Sequence, residues 1–170
     1  TNLEDSLPRW NPEGNRLAFS STRYGDGRSR IYLAWAQDAK FATEEALDLG
    51  EGSDPDWSPD GARLVYKGCD EAGANCGLWT TAVDGTDRRQ LTDNAGDARP
   101  RWSPDGSRVV FMSDGRDGNW DIYSVLVDGS VAGEVTRISF NAASDGLPAI
   151  SPDGAEIVFV SNRGNQWGIW

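Results

Sequence analysis

Pro100-Arg101-Trp102-Ser103-Pro104-Asp105-Gly106-Ser107-Arg108-Val109-Val110-Phe111 decides the fold, because the chain returns to this stretch three more times with small changes. The other copies are Pro8-Arg9-Trp10-Asn11-Pro12-Glu13-Gly14-Asn15-Arg16-Leu17-Ala18-Phe19, Pro55-Asp56-Trp57-Ser58-Pro59-Asp60-Gly61-Ala62-Arg63-Leu64-Val65-Tyr66 and Pro148-Ala149-Ile150-Ser151-Pro152-Asp153-Gly154-Ala155-Glu156-Ile157-Val158-Phe159. Their glycines fall at 14, 61, 106 and 154, so the spacings are 47, 45 and 48 residues. Periods near this length belong to propeller blades or helical arrays.

Within a unit the punctuation favours strands. Ser103-Pro104-Asp105-Gly106 places proline where a turn needs φ near −65° and glycine where it needs φ above zero, so Arg99 to Ser103 and Arg108 to Ser113 read as a hairpin. Asp121 to Val127 has the β-branched and aromatic content of a third strand, Asp128-Gly129 is a hairpin signal, and Val135 to Ser139 completes the unit. A second landmark keeps step. The aromatics of Ile31-Tyr32, Leu78-Trp79, Ile122-Tyr123 and Ile169-Trp170 lie 22, 22, 21 and 20 residues after Trp10, Trp57, Trp102 and Ile150. No long 3.6-residue period supports a helical array, and only the insertion from Ala36 to Leu47 has room for a helical turn.

The expected fold is all-β: a β-propeller of four four-stranded blades, one domain with units near 5–50, 51–96, 97–143 and 144–170 plus 1–4. The last unit ends on its third strand, so residues 1–4 are expected to close the ring beside Gln166 to Trp170. An open fragment of a larger propeller and two chains joined in an eight-bladed ring are the alternatives. The repeated tryptophans each bury on the order of 150–250 Å² and are assigned to packing between blades.

The Trp-Ser-Pro-Asp-Gly turns at 57–61 and 102–106, the Ser151-Pro152-Asp153-Gly154 copy and the drifted Asn11-Pro12-Glu13-Gly14 resemble the repeats of the TolB-like propeller family. Leu91-Thr92 is likewise similar to the family's outer-strand ending. The resemblance implies periplasmic scaffolds that bind envelope proteins, or propeller domains attached to peptidases and carbohydrate-active enzymes. It also implies six blades and an extra amino-terminal domain for TolB itself, which these four units do not match.

Composition narrows the chemistry. Sixteen Lys and Arg stand against 27 Asp and Glu, a net charge of −11, which opposes binding to nucleic acid or an anionic membrane. Histidine is absent, so Ser-His-Asp and Cys-His catalysis have no base within these residues. No apolar run reaches the length of a membrane span. The sequence begins at Thr1, so the expected source is a processed or excised piece of a secreted parent. Cys69 and Cys76 flank a turn-rich loop between two strand-like runs. A bridge there would stabilise by about 2.5 kcal/mol on the chain-entropy model and points to an oxidising compartment; two reduced thiols are the alternative.

Several side chains are candidates for function. Arg9, Asp56 and Arg101 occupy the second position of successive inner strands, where they would pair between blades or line a polar site at the axis. Trp120 and Trp167 stand just before third strands as contact residues or edge packing. Asp114, Asp117, Asn119 and Asp121 have the composition of a calcium loop without its full spacing or closing Glu. Asp5, Asp97 and Asp145 stand three residues before the inner-strand prolines and either gather a cation at one mouth or cap the entering loops. The turn acids Asp60, Asp105 and Asp153 are assigned to their own turns. A carboxylate pair of the glycosidase kind stays open. The expectation is a non-enzymatic protein-binding or scaffolding module of the cell envelope or extracellular space, with no cofactor beyond a calcium option, a protein partner and a glycan option. The runner-up is part of a carbohydrate-active or peptidase-linked propeller.

Overall fold

The computed structural model describes residues 4–37, 40–41, 46–127 and 133–170. They form a four-blade β-propeller with antiparallel strands throughout and no helix. The first blade comprises β1 (Asp5–Trp10), β2 (Arg16–Ser21), β3 (Arg30–Gln37), the two-residue β4 (Lys40–Phe41) beside the end of β3, and β5 (Leu47–Glu51). The second contains β6 (Ser53–Trp57), β7 (Arg63–Cys69), β8 (Cys76–Ala82) and β9 (Arg89–Gln90). The third contains β10 (Asp97–Trp102), β11 (Arg108–Ser113), β12 (Asp121–Leu126) and β13 (Val135–Arg137). The fourth has β14 (Asp145–Ile150), β15 (Ile157–Ser161) and β16 (Gly168–Ile169) among the described residues.

The quoted turn explains the inner hairpin. Ser103 Oγ donates to Asp105 Oδ1 at 2.6 Å and accepts the Arg108 N–H at 2.9 Å, while Asp105 Oδ1 accepts the Ser107 N–H at 3.0 Å. Gly106 takes φ 73° and donates its N–H to the Ser103 carbonyl, a conformation that costs a residue with a side chain. Ser58 and Ser151 repeat the arrangement with Asp60 and Asp153. In the drifted first copy Asn11 does the serine's work, its Oδ1 accepting from the Asn15 and Arg16 N–H groups at 3.0 and 2.8 Å.

Each inner strand carries one irregularity at the same place. Leu7, Asp54, Arg99 and Leu147 precede the inner prolines and take φ of 54°, 57°, 55° and 52°. The register shifts across each of them. Left-handed backbone at a non-glycine residue costs roughly 1–3 kcal/mol and persists only where its surroundings enforce it. The proline that follows already bars the right-handed helical region.

The core lies between blades. Trp57, Leu64 and Tyr66 of the second blade pack on Ala18, Ile31 and Leu33 of the first, and the Trp57 Nε1–H donates to the Arg9 carbonyl at 3.0 Å. Trp102, Val109, Phe111 and Tyr123 of the third blade pack in turn on Val65, Leu78 and Leu91 of the second. The packing assignment of these two tryptophans holds. The turns also interlock: a Cβ on Gly61, Gly106 or Gly154 would lie 3.6, 3.3 or 3.8 Å from Pro12, Pro59 or Pro104 of the preceding blade.

Extensive strand contacts join the first blade to the second, the second to the third and the third to the fourth. Among the described residues none of that extent joins the fourth to the first. The expected latch falls mostly on residues 1–3, outside the described residues; Glu4 pairs with Thr22, at the end of the first blade's own second strand. The insertion expected to hold a helical turn is strand in its described part, since β3 runs on to Gln37 and β4 pairs with its end. The Cys69–Cys76 bridge is present and spans directly opposed positions of β7 and β8.

Candidate functional site at the propeller axis

The innermost strands β1, β6, β10 and β14 touch one another in order, so their second positions converge. Asp56 sits at the centre. Its Oδ1 lies 3.6 Å from Arg9 Nε, and its Oδ2 accepts the Trp102 backbone N–H at 2.9 Å. Arg101 adds its charge from the next strand while donating to the Pro100 carbonyl at 2.6 Å. Burial pushes the Asp56 carboxyl above the usual carboxylate range, against the pull of the Trp102 N–H, Arg101 and Arg9. Burial likewise lowers Arg101, against the pull of Asp56.

Two further members come from the left-handed positions. Arg99 Nη1 pairs with Asp54 Oδ1 at 2.8 Å, and the Asp54 N–H donates to Ser20 Oγ of the first blade. The charged patch therefore comprises Arg9, Asp54, Asp56, Arg99 and Arg101, three cations against two anions in a chain of net charge −11. Sequence reading identified Arg9, Asp56 and Arg101 through their equivalent positions. It missed Asp54 and Arg99 as members of this patch, because a left-handed residue and a register shift break the strand alternation just before each inner proline.

The other candidates are dispersed. Asp5, Asp97 and Asp145 each hold an arginine of their own blade: Arg23 at 2.8 Å, Arg116 at 3.0 and 2.6 Å, and Arg163 at 2.7 Å. Each acid is thus tied to a loop arginine of its own blade, as the capping alternative expects. Of the calcium-loop candidates, Asp117 accepts from Tyr123 Oη at 2.6 Å, and Asp121 holds Arg137 at 2.6 Å and Ser139 Oγ at 3.1 Å. Asn119 donates to the Ala143 carbonyl at 2.8 Å, and Asp114 lies beside Gly96. Protein donors from 6 to 18 residues away thus face Asp117 and Asp121, and among the described residues no group of three or more acids, cysteines or histidines is placed to hold a metal. Trp120 is half-buried and accepts the Asp145 N–H at its carbonyl, whereas Trp167 is exposed.

A pattern unseen in the sequence unites the blades. Arg23 lies over Phe19 and Tyr32, Arg116 over Phe111 and Tyr123, Arg163 over Phe159 and Trp170, and Arg88 over Trp79 and Tyr66. Every blade seats one guanidinium on the aromatics of its second and third strands, a favourable cation–π arrangement.

A family model for the TolB beta propeller domain matches residues 6–170. The chain belongs to that family. TolB from Acinetobacter baumannii superposes with a TM-score of 0.76 at 23% identity, over 98% of this chain and 40% of that one. This TolB propeller domain thus spans about two fifths of the length of that TolB. A structure of the nidogen/laminin complex gives a TM-score of 0.66 at 15% identity, over 96% of this chain and 59% of that one. Prolyl oligopeptidase B from Galerina marginata gives 0.62 at 16%, over 98% and 26%. At these identities the likeness shows the shared propeller fold. No curated protein matches the chain.

Proposed function

We propose that this TolB propeller domain is a non-enzymatic protein-binding module of the cell envelope or extracellular space that engages its partner at the axis through Arg9, Arg99 and Arg101. The carrying observation is the half-buried Asp56 carboxyl, raised by desolvation and flanked by Arg9 and Arg101. A desolvated acid stabilises a fold poorly, and perturbed groups of this kind concentrate at functional sites. Three guanidinium groups suit a partner segment that presents carboxylates, because a planar fork meets a carboxylate with two parallel hydrogen bonds. The Cys69–Cys76 bridge favours an extracytoplasmic setting. The nidogen/laminin complex supplies a propeller of this shape in a protein assembly. Among the described residues no helix is long and apolar enough to cross a membrane.

The test is retention of a partner from an envelope extract, with and without calcium, by the wild-type domain, Arg101→Ala and Asp56→Asn. Arg101→Ala should lose the partner while keeping its melting temperature within a few degrees, and calcium should make no difference. Asp56→Asn keeps an acceptor for the Trp102 N–H. Because burial raises Asp56, its favourable contribution is present at low pH and lost as pH rises through the folded value, so this variant should melt no lower than wild type at pH 7. Turnover in a glycosidase or peptidase panel, or undiminished retention by Arg101→Ala, would sink the reading.

A further inference from the structure

Both cysteines of the chain are spent on one bridge, at the end of the second blade's central hairpin. β7 and β8 pair without interruption from Arg63 and Ala82 to Cys69 and Cys76, so the backbone ladder reaches the bridge unaided. Beyond it the loop is closed a second time. Asp70 Oδ1 accepts the Ala74 N–H at 2.8 Å, and the Asp70 N–H donates to the Asn75 carbonyl at 3.2 Å. Opening the bridge lowers the blade's stability without removing a hydrogen bond of the hairpin.

The two sulfurs sit in different surroundings. Cys69 belongs to the wall of a cavity of about 580 Å³ between the outer strand β5 of the first blade and the bridged loop, together with Arg28, Leu49, Glu51, Glu71 and Arg88. Cys76 lies outside that wall, and its Sγ is 3.7 Å from the Gly73 carbonyl, an acceptor for a thiol. Guanidinium groups beside a cysteine favour its thiolate and draw an incoming one. Among the acids there, Glu51 pairs with Arg28 at 2.6 Å and Asp70 accepts within its own loop. Single exposed side chains therefore set the charge that an arriving group meets. Arg88 also donates to the Cys69 carbonyl while lying over Trp79, so the backbone beside this sulfur anchors the blade's cation.

We propose that the Cys69–Cys76 bridge is a thiol–disulfide exchange site, opened through this cavity by attack of a dithiol on Cys69. The incoming thiolate bonds to Cys69 Sγ as the bond between the two Sγ atoms breaks, and Cys76 leaves as a thiolate that takes up a proton. The reductant's second thiolate then attacks the reductant's own sulfur in the mixed disulfide. Cys69 is released and protonated, and the reductant departs as a disulfide, so two electrons and two protons have passed to the bridge. Access decides which sulfur is attacked, and the cavity gives it to Cys69. Exchange acts on the cavity wall: residues 70–75 lose their covalent closure, and the carbonyl that anchors Arg88 loosens with them. None of the axial arginines takes part, so failure of this proposal leaves the partner-binding reading intact.

Exchange on the oxidised domain is tested with dithiothreitol and, for the first step alone, with the monothiol mercaptoethanol, followed by acid quench, alkylation and peptide mapping. Reduction should be first order in thiolate and faster than global unfolding under the same conditions, and the mercaptoethanol adduct should appear on Cys69 with Cys76 alkylated. Arg28→Glu should slow the first step and Glu71→Lys should speed it, each by roughly five-fold at low salt, as two unit charges near the sulfur do. The spread should close at about 1 M salt, where the screening length falls to about 3 Å. Both side chains are exposed, so neither replacement threatens the fold. A bridge that serves structure alone would open only as the domain unfolds, at a rate that levels off as thiol is added. That outcome, an adduct chiefly on Cys76, or equal rates for the three proteins at low salt would overturn the proposal.

Discussion

In the third blade Arg116 lies over Phe111 and Tyr123 and grips Asp97, which is fully buried, through two hydrogen bonds. In the second blade Arg88 lies over Trp79 and Tyr66 but comes from the other end of the unit, just before the outer strand β9. It donates to Tyr66 Oη at 2.7 Å and to the Cys69 carbonyl. The aspartate is gone: register places Gly52 where Asp97 stands and Gly68 where Ser113 stands. Both glycines are needed because the Tyr66 ring fills the space, and a Cβ would come within 2.6 Å of it at Gly52 and 2.9 Å at Gly68. The loop that delivers Arg116 is replaced by the loop closed by Cys69–Cys76. What the fold demands at this place is a cation over two aromatics; the anion that orients the cation is interchangeable.

The comparison implies unequal stakes. Arg116→Ala leaves the Asp97 charge buried without its partner and should cost about 3–5 kcal/mol, lowering the melting temperature by roughly 10 °C in a domain of this size. Replacing Asp97 and Arg116 together by apolar residues should recover much of the loss. Arg88→Ala strands no buried carboxylate, so its cost should stay near 1–2 kcal/mol, the worth of a cation–π contact and a hydrogen bond. Equal losses in the two blades, read by thermal melts, would erase the distinction.

Opening the bridge is the second blade's own weak point. Reducing Cys69–Cys76, or replacing both by serine, should cost about 2.5 kcal/mol through the freed loop, with loss of hydrogen-exchange protection in β7 and β8 ahead of β11 and β12. Protection falling equally in both blades would argue that the bridge does not serve the second blade locally.

The smallest contrast lies in the hairpin turns. Asp105 is lowered to about 2 by the Ser103 hydroxyl, the Ser107 N–H and the Ser107 hydroxyl, whereas Asp60 is lowered by the Ser58 hydroxyl and the Ala62 N–H. For both acids the folded value lies below the unfolded one, so their stabilisation is present above the ordinary carboxylate range and is lost as pH falls through the folded values. Carboxyl NMR titration should find Asp105 titrating below Asp60. Ser107→Ala should bring the two together; an unmoved Asp105 would leave the second hydroxyl without a role.

The four units, their inner hairpins and the bridge were legible because each depends on neighbours in sequence: proline, aspartate and glycine within one turn, or two cysteines flanking one loop. The arginine caps were not. Arg23, Arg116 and Arg163 follow their second-strand Phe by 4, 5 and 4 residues, but an arginine in a polar loop carries no mark that it folds back over a ring, and Arg88 comes from the far side of its blade. The metal readings failed to converge for the same reason, since Asp121 is answered by Arg137 and Ser139, which pattern reading within the loop does not reach. At the axis, equivalent strand positions brought Arg9, Asp56 and Arg101 into view. The left-handed turn that aims Asp54 and Arg99 into the same patch is a backbone property without a residue signature, because leucine occupies it in two blades.

The proline-to-glycine contacts between successive turns give the array a direction. Pro12 meets Gly61, Pro59 meets Gly106 and Pro104 meets Gly154, so each of the first three units donates a ring forwards and each of the last three accepts one from behind. A joint with two unlike halves can be copied whole, because a duplicated unit brings one half of each kind and leaves every existing joint matched. Energies in such an array add between nearest neighbours. Blade number can therefore change by tandem duplication or deletion of whole units of 45 to 48 residues without altering any residue at a joint, whereas a reversed or half unit would set proline against proline and break the series.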